Sequence, residues 1–401
     1  MKAGPSQEEI RRHNLGTLLR HVHLGGSTSR AVLAERMGLN RSTILGLVSE
    51  LASVGLVREE LPRDTGRAGR PSLVVRPESD RAYVLAFDIC ADRLAAARIG
   101  LGGVFLDRRE ISWPRDDLRA DEVADALVGL SGKLQAGARP GTCCVGVGAG
   151  VRGLVRHPDG LVHSAPSVGW ADEDFGAGLT RRLGLGLPVA VENEANLGAL
   201  AEHLRGAGTG SRDMVYLHGD IGIGGGVITG DRLLTGDRGY GGEIGHMLVN
   251  PQDGRPCDCG ARGCLEAEAG ERALLEAAGR DGSAAGRDAV RAVVEAADRG
   301  DVGARAALHR VGDWLGVGVA GLVNILNPRT VVFGGTLRDV YLGSAAQIRS
   351  RINRHALPAS REQLRLRVGE LGDDAVLVGA AESAFSGMLS GPLEALARTL
   401  P

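Results

Sequence analysis

Apolar residues follow two different rhythms along the chain. Within residues 14–51 they recur at every third or fourth position, which predicts three short helices. Ser29 and Asn40 can cap the second and third helices, and Gly38 can form the tight turn that separates them. A helix, a glycine turn and a second helix are typical of a helix-turn-helix.

The stretch after the third helix has the pattern of a β-hairpin. Apolar residues at 55–57 and 72–75 predict two strands, and the polar segment 62–69 predicts the loop between them. Such a hairpin beside a helix-turn-helix is a wing. Arg67 and Arg70 lie at its predicted tip, where they can contact phosphates or the minor groove of DNA.

The polar face of the third predicted helix carries residues suited to the major groove. Arg41, Ser42, Thr43 and Gly46 lie away from the apolar face, and an arginine can bind a guanine edge in bidentate fashion. A contact of Arg41 with phosphate is nearly as strongly favoured, because about half or more of protein–DNA hydrogen bonds go to the backbone. Both interpretations stay open.

From Ala82 onward, short apolar strands alternate with helices rich in alanine and leucine, which predicts an α/β body. The predicted strands are 83–88, 95–99, 143–149, 188–192, 214–218, 331–333 and 376–378, and the predicted helices are 121–134, 271–280 and 287–317. We predict a DNA-binding domain at 1–80 and a body at 81–401. The body would have one lobe at about 82–190 plus 379–401, a second at about 191–378, and a cleft between them.

Composition and charge exclude several classes of protein. With 401 residues, 43% of them hydrophobic, the chain can form more than one core. Its apolar runs are far shorter than the roughly 18 residues of a membrane helix, and no secretory signal is visible. Six cysteines are too few for a disulfide framework at this length, which indicates a reducing cytoplasm. Residues 1–76 hold 12 Lys or Arg against 7 Asp or Glu, so the N-terminal end of a chain with net charge −2 is basic.

The densest group of metal-binding residue types lies between positions 242 and 266. His246 is followed by Cys257, Cys259 and Cys264, and the glycines between them would let the loop wrap an ion. One imidazole and three thiolates can close a tetrahedral shell, which is typical of a structural Zn²⁺. The alternative is a cluster of loop thiols that binds no metal, which is uncommon for such a spacing.

These residues resemble the ROK family, named for repressors, open reading frames and kinases. The family's glycine-glutamate-x-glycine-histidine element matches 242–246, and its cysteine-x-cysteine-glycine-x-x-glycine-cysteine-x-glutamate element matches 257–266. Regulators of the family carry a glycine-arginine-x-glycine-arginine-proline wing, which 66–71 matches. The resemblance covers nearly the whole chain and implies a two-lobed, actin-like and hexokinase-like body behind an N-terminal winged helix-turn-helix.

The resemblance also implies a sugar site. The family's glutamate-asparagine-aspartate-alanine-asparagine loop is similar to 192–196, and the matching polar residues of both motif regions are Asn193, Glu194, Glu243, His246 and Glu266. Carboxylates accept hydroxyl protons of a sugar, and one imidazole can bind zinc through one nitrogen and a hydroxyl through the other. Zinc would then brace the sugar site.

The segments that the resemblance relates to ATP depart from the family kinases. Their aspartate-x-glycine-glycine-threonine phosphate loop corresponds to 88–92, where Cys90 and Ala91 replace glycines and Asp92 adds a negative charge. Glu194 stands in place of the catalytic aspartate, and its extra methylene displaces this vestigial base by about an ångström. Tight packing explains the glycine run 219–226 at least as well as phosphate binding does.

Together these features favour a sugar-responsive transcriptional regulator, a repressor, over an enzyme. We expect it to bind operator DNA and a small sugar effector, to act as a homodimer or homotetramer on a near-palindromic operator, and to have no membrane partner. The alternative is an active ATP-dependent sugar kinase with an appended DNA-binding head, which the retained Glu194 carboxylate and the glycines support.

Overall fold

The chain divides into two compact units. The computed structural model describes residues 6–61, 73–113, 119–280 and 286–399. The first unit comprises Met1–Glu192 with Ala380–Pro401, and the second comprises Asn193–Gly379. The domain and lobe boundaries drawn from the sequence stay a prediction. Among the described residues, no helix is both long enough and apolar enough to cross a membrane.

Three helices and a small sheet form the N-terminal head, residues 6–77. They are α1 (Gln7–Gly25), β1 (Thr28–Ser29), α2 (Arg30–Met37), α3 (Arg41–Ser53), β2 (Val57–Glu60) and β3 (Val74–Pro77). The strands are antiparallel in the order β1-β3-β2. Ser29 and Asn40 cap α2 and α3 by accepting backbone N–H groups, and Gly38 ends α2 in the left-handed conformation. All three residues serve as the sequence predicts.

A buried histidine joins α1 to the rest of the first unit. The backbone N–H of Gly102 donates to His23 Nδ1 at 2.9 Å, so Nε2 carries the ring proton. Nε2 donates to the carboxylate of Glu382, 3.1 Å from both oxygens, and the ring packs on Phe385. The side chains of His23 and Glu382 are 0% and 3% exposed, so the contact is shielded from water.

A five-stranded sheet forms the centre of the first unit. The elements that follow the head are β4 (Ala82–Ile89), β5 (Arg93–Gly100), β6 (Val104–Ser112), α4 (Ala120–Ala136), β7 (Cys143–Val151), β8 (Leu154–Val155), β9 (Val162–Ala165), β10 (Trp170–Glu173), α5 (Phe175–Leu183) and β11 (Val189–Asn193). The sheet order is β11-β7-β4-β5-β6, with β7 parallel to β4, and β8–β10 form a separate small sheet. β4 is apolar along nearly its whole length because every residue in it is buried.

The second unit repeats the plan of a five-stranded sheet packed with helices. Its elements are α6 (Glu194–Arg205), β12 (Met214–Gly219), β13 (Ile223–Thr229), β14 (Arg232–Leu233), α7 (Leu265–Ala269), α8 (Glu271–Ala277), α9 (Arg287–Asp298), α10 (Val302–Leu326), β15 (Thr330–Gly335), α11 (Thr336–His355), α12 (Pro358–Arg361) and β16 (Arg365–Val368). The sheet order is β14-β13-β12-β15-β16, with β15 parallel to both of its neighbours. The chain ends with α13 (Ala375–Ser390), which passes into the first unit, and α14 (Pro392–Ala397).

Two predicted elements of the body differ from the structure. The strand predicted at 376–378 is wrong, because these residues lie in α13. Their valines favour a strand locally, but an alanine-rich continuation makes a helix whose residues Ala380, Ala381 and Phe385 are buried. The helix predicted at 287–317 is two helices, since Gly300 has φ of +100° and Asp301 caps α10 through the N–H of Ala304.

Candidate functional site

Four potential metal ligands converge in the second unit. Their ligand atoms all lie within 4.8 Å of one another, and the residues are His246, Cys257, Cys259 and Cys264. The loop can fold back on itself because Gly260 and Gly263 adopt φ angles of +90° and +75°. All four residues predicted as metal ligands are thus brought together.

The distances within this cluster fit a tetrahedral ion. Cys259 Sγ and Cys264 Sγ are 3.8 Å apart, well beyond a disulfide bond of about 2.05 Å. Two thiolates bound to zinc at about 2.3 Å with a tetrahedral angle would be about 3.8 Å apart. Cys257 Sγ lies 3.7 Å from His246 Nδ1, close to the roughly 3.6 Å expected for a thiolate and an imidazole on one ion. The cluster can therefore hold a metal ion, with Nδ1 as the ligand nitrogen of His246.

Glu266 links the cysteine cluster to the glycine run at 219–226. Its Oε2 accepts the backbone N–H of Ile223 at 2.9 Å, and its Oε1 lies 3.8 Å from Cys257 Sγ. A side chain on Gly222 would overlap Glu266 Oε2. This glycine is therefore required by contacts within the protein, which favours the packing interpretation of the run.

Asn193 and Glu194 lie at the N-terminus of α6. Asn193 is the cap, and its Oδ1 accepts the N–H groups of Ala195 at 2.8 Å and Asn196 at 3.0 Å. Glu194 is the first helical residue, where the helix dipole favours a carboxylate. A Cβ on Gly224 would lie 2.8 Å from Ala195 Cβ and 3.2 Å from Glu194 Oε1. The start of α6 therefore packs directly on β13.

Glu243 precedes the short turn that carries His246. Desolvation raises the pKa of the Glu243 carboxyl group, the charge of Glu266 raises it further, and His246 opposes both. Glu266 accepts the backbone N–H of Ile223 at the start of β13, and the Glu194 carboxylate lies close to the next residue, Gly224. The structure thus gathers all five predicted sugar-contacting residues, including Asn193, in one region of the second unit.

The turn that the sequence relates to phosphate binding is filled by its own side chains. It joins β4 to β5, and both Cys90 and Ala91 are buried. Arg93 donates to the Asp88 carboxylate at 3.1 Å, and Cys90 Sγ lies 3.5 Å from both oxygens of that carboxylate. Arg152 donates to Cys90 Sγ at 3.4 Å. Burial raises the pKa of Cys90 to about 12, and the Asp88 charge contributes, so the thiol stays protonated at neutral pH.

The predicted DNA-contacting residues of α3 differ in their exposure. Arg41, Ser42 and Gly46 are exposed, whereas Thr43 is half-buried. Arg67 and Arg70 lie outside the described residues.

Sequence reasoning missed two ionic contacts in the segments that it singled out. One is Arg93 on Asp88, which strand alternation could have indicated, because Asp88 pairs with Ala95 and residues 93 and 95 share a face. The other joins His157 Nε2 to Glu192 Oε2 at 2.6 Å, immediately before Asn193. The hydrogen bond to Glu192 raises the pKa of His157. No sequence pattern indicates this second pair, since its members are 35 positions apart.

Comparison with known proteins identifies a family and several relatives that this chain resembles. The family model described as ROK family matches residues 84–385. A xylose repressor from Caldicellulosiruptor bescii is 30% identical over 379 residues, covering 91% of this chain and 93% of the repressor. A glucokinase from Halalkalibacterium halodurans is 31% identical over 316 residues, covering 75% of this chain and 94% of the glucokinase.

A solved structure aligns with almost the whole chain. It is described as a ROK family transcriptional regulator, homologous to the E. coli Mlc protein, and aligns with a TM-score of 0.80 and 25% identity. The alignment covers 97% of this chain and 99% of that one. The predicted α/β fold with an actin-like, hexokinase-like body is confirmed.

Proposed function

Because the chain belongs to the ROK family, we propose that it is a sugar-responsive transcriptional repressor whose kinase-like body binds sugar without phosphorylating it. The observation that carries this proposal is the head at residues 6–77, which lies N-terminal to the family match. The similarity to the xylose repressor covers 91% of the chain, whereas that to the glucokinase covers 75%. The protein acts in the reducing cytoplasm.

The head is a winged helix-turn-helix that binds operator DNA. Helix α3 enters the major groove with Arg41, Ser42, Thr43 and Gly46. As the sequence predicts, Arg67 and Arg70, which lie outside the described residues, contact DNA from a wing. A single head contacts little DNA, so the protein binds a near-palindromic operator as a homodimer or homotetramer.

The β4–β5 turn supports the absence of phosphoryl transfer. A phosphate-binding loop needs exposed backbone amides and space for oxygens. Here Cys90 and Ala91 fill that space, and the charge of Asp88 is already paired with Arg93. Glu194 keeps a carboxylate near the sugar loop, but with a longer side chain than the aspartate of the family kinases. These residues support binding without catalysis.

A structural Zn²⁺ held by His246, Cys257, Cys259 and Cys264 braces the sugar site. The tetrahedral spacing of these ligand atoms supports the assignment, and the ion would fix the loop that carries them. With Nδ1 on the ion, Nε2 of His246 is the nitrogen for a sugar hydroxyl. The other sugar contacts are Asn193, Glu194, Glu243 and Glu266.

The His23–Glu382 contact supports coupling between the proposed sugar site and the DNA-binding head. Glu382 lies on α13, which begins at Ala375 in the second unit and continues into the first. A rearrangement of the second unit on sugar binding can reach α1 of the head through this helix. Sugar and operator then change each other's affinity by the same factor.

Selection of DNA by the full-length protein tests the proposal. We expect selection from random duplexes to enrich a near-palindromic sequence, and a sugar panel to contain at least one sugar that changes operator affinity roughly 5- to 150-fold. Failure to enrich any sequence, or an affinity that no sugar alters, contradicts the proposed function.

A separate assay addresses the kinase alternative, which the glucokinase relative and Glu194 support. Purified protein with MgATP and each sugar should release ADP no faster than the same sample without sugar. Turnover on the order of 10 per second would instead establish an active kinase.

A further inference from the structure

One face of α3 carries a leucine among polar residues. Arg41, Leu45 and Ser49 are four positions apart, lie along the same face and are exposed. Leu45 is 45% exposed, whereas Ile44 and Leu47 are buried in the head. The core of the head therefore does not account for Leu45.

Gly46 follows Leu45, and packing does not account for it either. Glycine destabilises a helix interior relative to alanine. At Gly16 of α1 packing requires it, because a Cβ there would overlap the backbone carbonyl of Leu389. A Cβ on Gly46 would have no atom of the described residues within 4 Å. The absent side chain leaves space for a partner outside the chain.

The polar residues beside Leu45 indicate which chemistry a partner of this face must have. Arg30 and Arg58 of the head form ion pairs with glutamates. By contrast, the structure shows no hydrogen bond or ion pair between the side chain of Arg41 and any described residue. The hydroxyl of Ser42 donates to Asn40 Oδ1 at 2.7 Å, so it can accept but not donate to a base. The face thus offers one cation and one apolar side chain.

We propose that Leu45 contacts the C5-methyl group of an operator thymine and that Gly46 lets the sugar-phosphate backbone approach α3. The inference rests on the proposed operator binding. In the major groove thymine is the base that presents a methyl group, and apolar side chains recognise it. Arg41 lies one turn before Leu45, where it contacts a neighbouring guanine or phosphate. Leu45 is therefore a specificity-determining residue.

Replacement of each operator thymine by deoxyuridine tests the methyl contact. Deoxyuridine differs only in lacking the C5-methyl group. We expect wild-type full-length protein to lose about 3- to 5-fold in affinity at one thymine of each half-site, as for loss of one buried methyl group. Leu45→Ala should bind the thymine operator more weakly and bind both operators equally. Ile10→Ala, an equally exposed residue of α1, is the matched control and should keep the wild-type ratio.

The outcomes separate this inference from the proposed function. A selected operator that shows no sensitivity to deoxyuridine, or an unchanged sensitivity in Leu45→Ala, overturns the role of Leu45 while operator binding stands. Absence of any selected operator overturns both. Gly46→Ala should raise the melting temperature yet weaken operator binding more than tenfold, since the added methyl group meets DNA and not protein. Wild-type affinity in this variant would overturn the role of Gly46.

Discussion

Two clusters of charged and thiol side chains in this protein are organised around different centres. In the cysteine-rich loop of the second unit, His246 and three cysteines direct their ligand atoms toward one point. In the β4–β5 turn of the first unit, Asp88, Cys90 and Arg93 contact one another. One imidazole and three cysteine sulfurs that converge in this way can hold a cation, whereas a carboxylate paired with an arginine is already neutralised. The first cluster therefore has the arrangement of a ligand site, and the charges of the second are satisfied within the protein.

Removal of one thiol should have the largest effect. Cys259 is exposed, so Cys259→Ser leaves no cavity but breaks the tetrahedral shell. We expect bound zinc, measured by elemental analysis, to fall from about one ion per chain to less than about a tenth. The responses to sugar and operator should be lost with it.

Asp258→Asn is the matched control in the same loop. Asp258 is exposed and pairs with Arg272 at 3.3 Å, so its change should leave the zinc content at the wild-type level. Full zinc occupancy in Cys259→Ser, or a sugar response that persists in zinc-free protein, would contradict the bracing role.

Like the Asp88–Arg93 pair of the β4–β5 turn, the contact between His23 and Glu382 is formed entirely within the protein, but it is more deeply buried. His23→Ala removes a donor from a buried carboxylate and an acceptor from the N–H of Gly102. We expect the free energy of unfolding to fall by about 2–4 kcal/mol in urea titrations. His13→Ala, an exposed histidine of the same helix, should change it by less than about 0.5 kcal/mol. Equal effects of the two changes would show that the buried contact is not needed for stability.

An intermediate effect should follow from opening the β4–β5 turn. The Asp88 side chain is 3% exposed, and that of Arg93 is 27% exposed. Because solvent screens part of this pair, Arg93→Ala should cost about 1–2 kcal/mol of unfolding free energy. Arg109→Ala breaks the more exposed pair with Asp107 in β6 and should cost less than about 0.5 kcal/mol. If Arg93→Ala cost no more than Arg109→Ala, the turn would not be held by its own charges.

The comparison also shows what local sequence can reveal about the fold. The caps Ser29 and Asn40 and the glycine turn at Gly38 depend on residues a few positions apart, and all three follow from the sequence. The strand wrongly predicted at 376–378 lies in an alanine-rich helix, where burial outweighs the strand preference of valine.

The same distinction applies to the site. The four proposed metal ligands fall within twenty positions, and their spacing predicts the cluster that the structure contains. The partners in the buried ionic contacts are determined by the tertiary fold instead. His23 and Glu382 are 359 positions apart, and no periodic pattern connects them. The sequence therefore predicted a cluster formed by neighbouring residues more readily than a contact between residues far apart along the chain.

The smallest effect should come from the pair of His157 and Glu192, which immediately precedes Asn193. Its hydrogen bond raises the pKa of His157 in the folded protein. The stabilisation is therefore complete below the unfolded pKa of about 6.5 and is lost as pH rises through the raised folded value. The stability difference between wild type and His157→Gln should be largest near pH 5.5, small above pH 8, and below about 1 kcal/mol throughout, because the His157 side chain is 38% exposed. Urea titrations at both pH values measure it, and Glu192→Gln should remove the pH dependence. A difference that stays constant with pH would mean that His157 contributes to stability through packing alone, with no ionic interaction with Glu192.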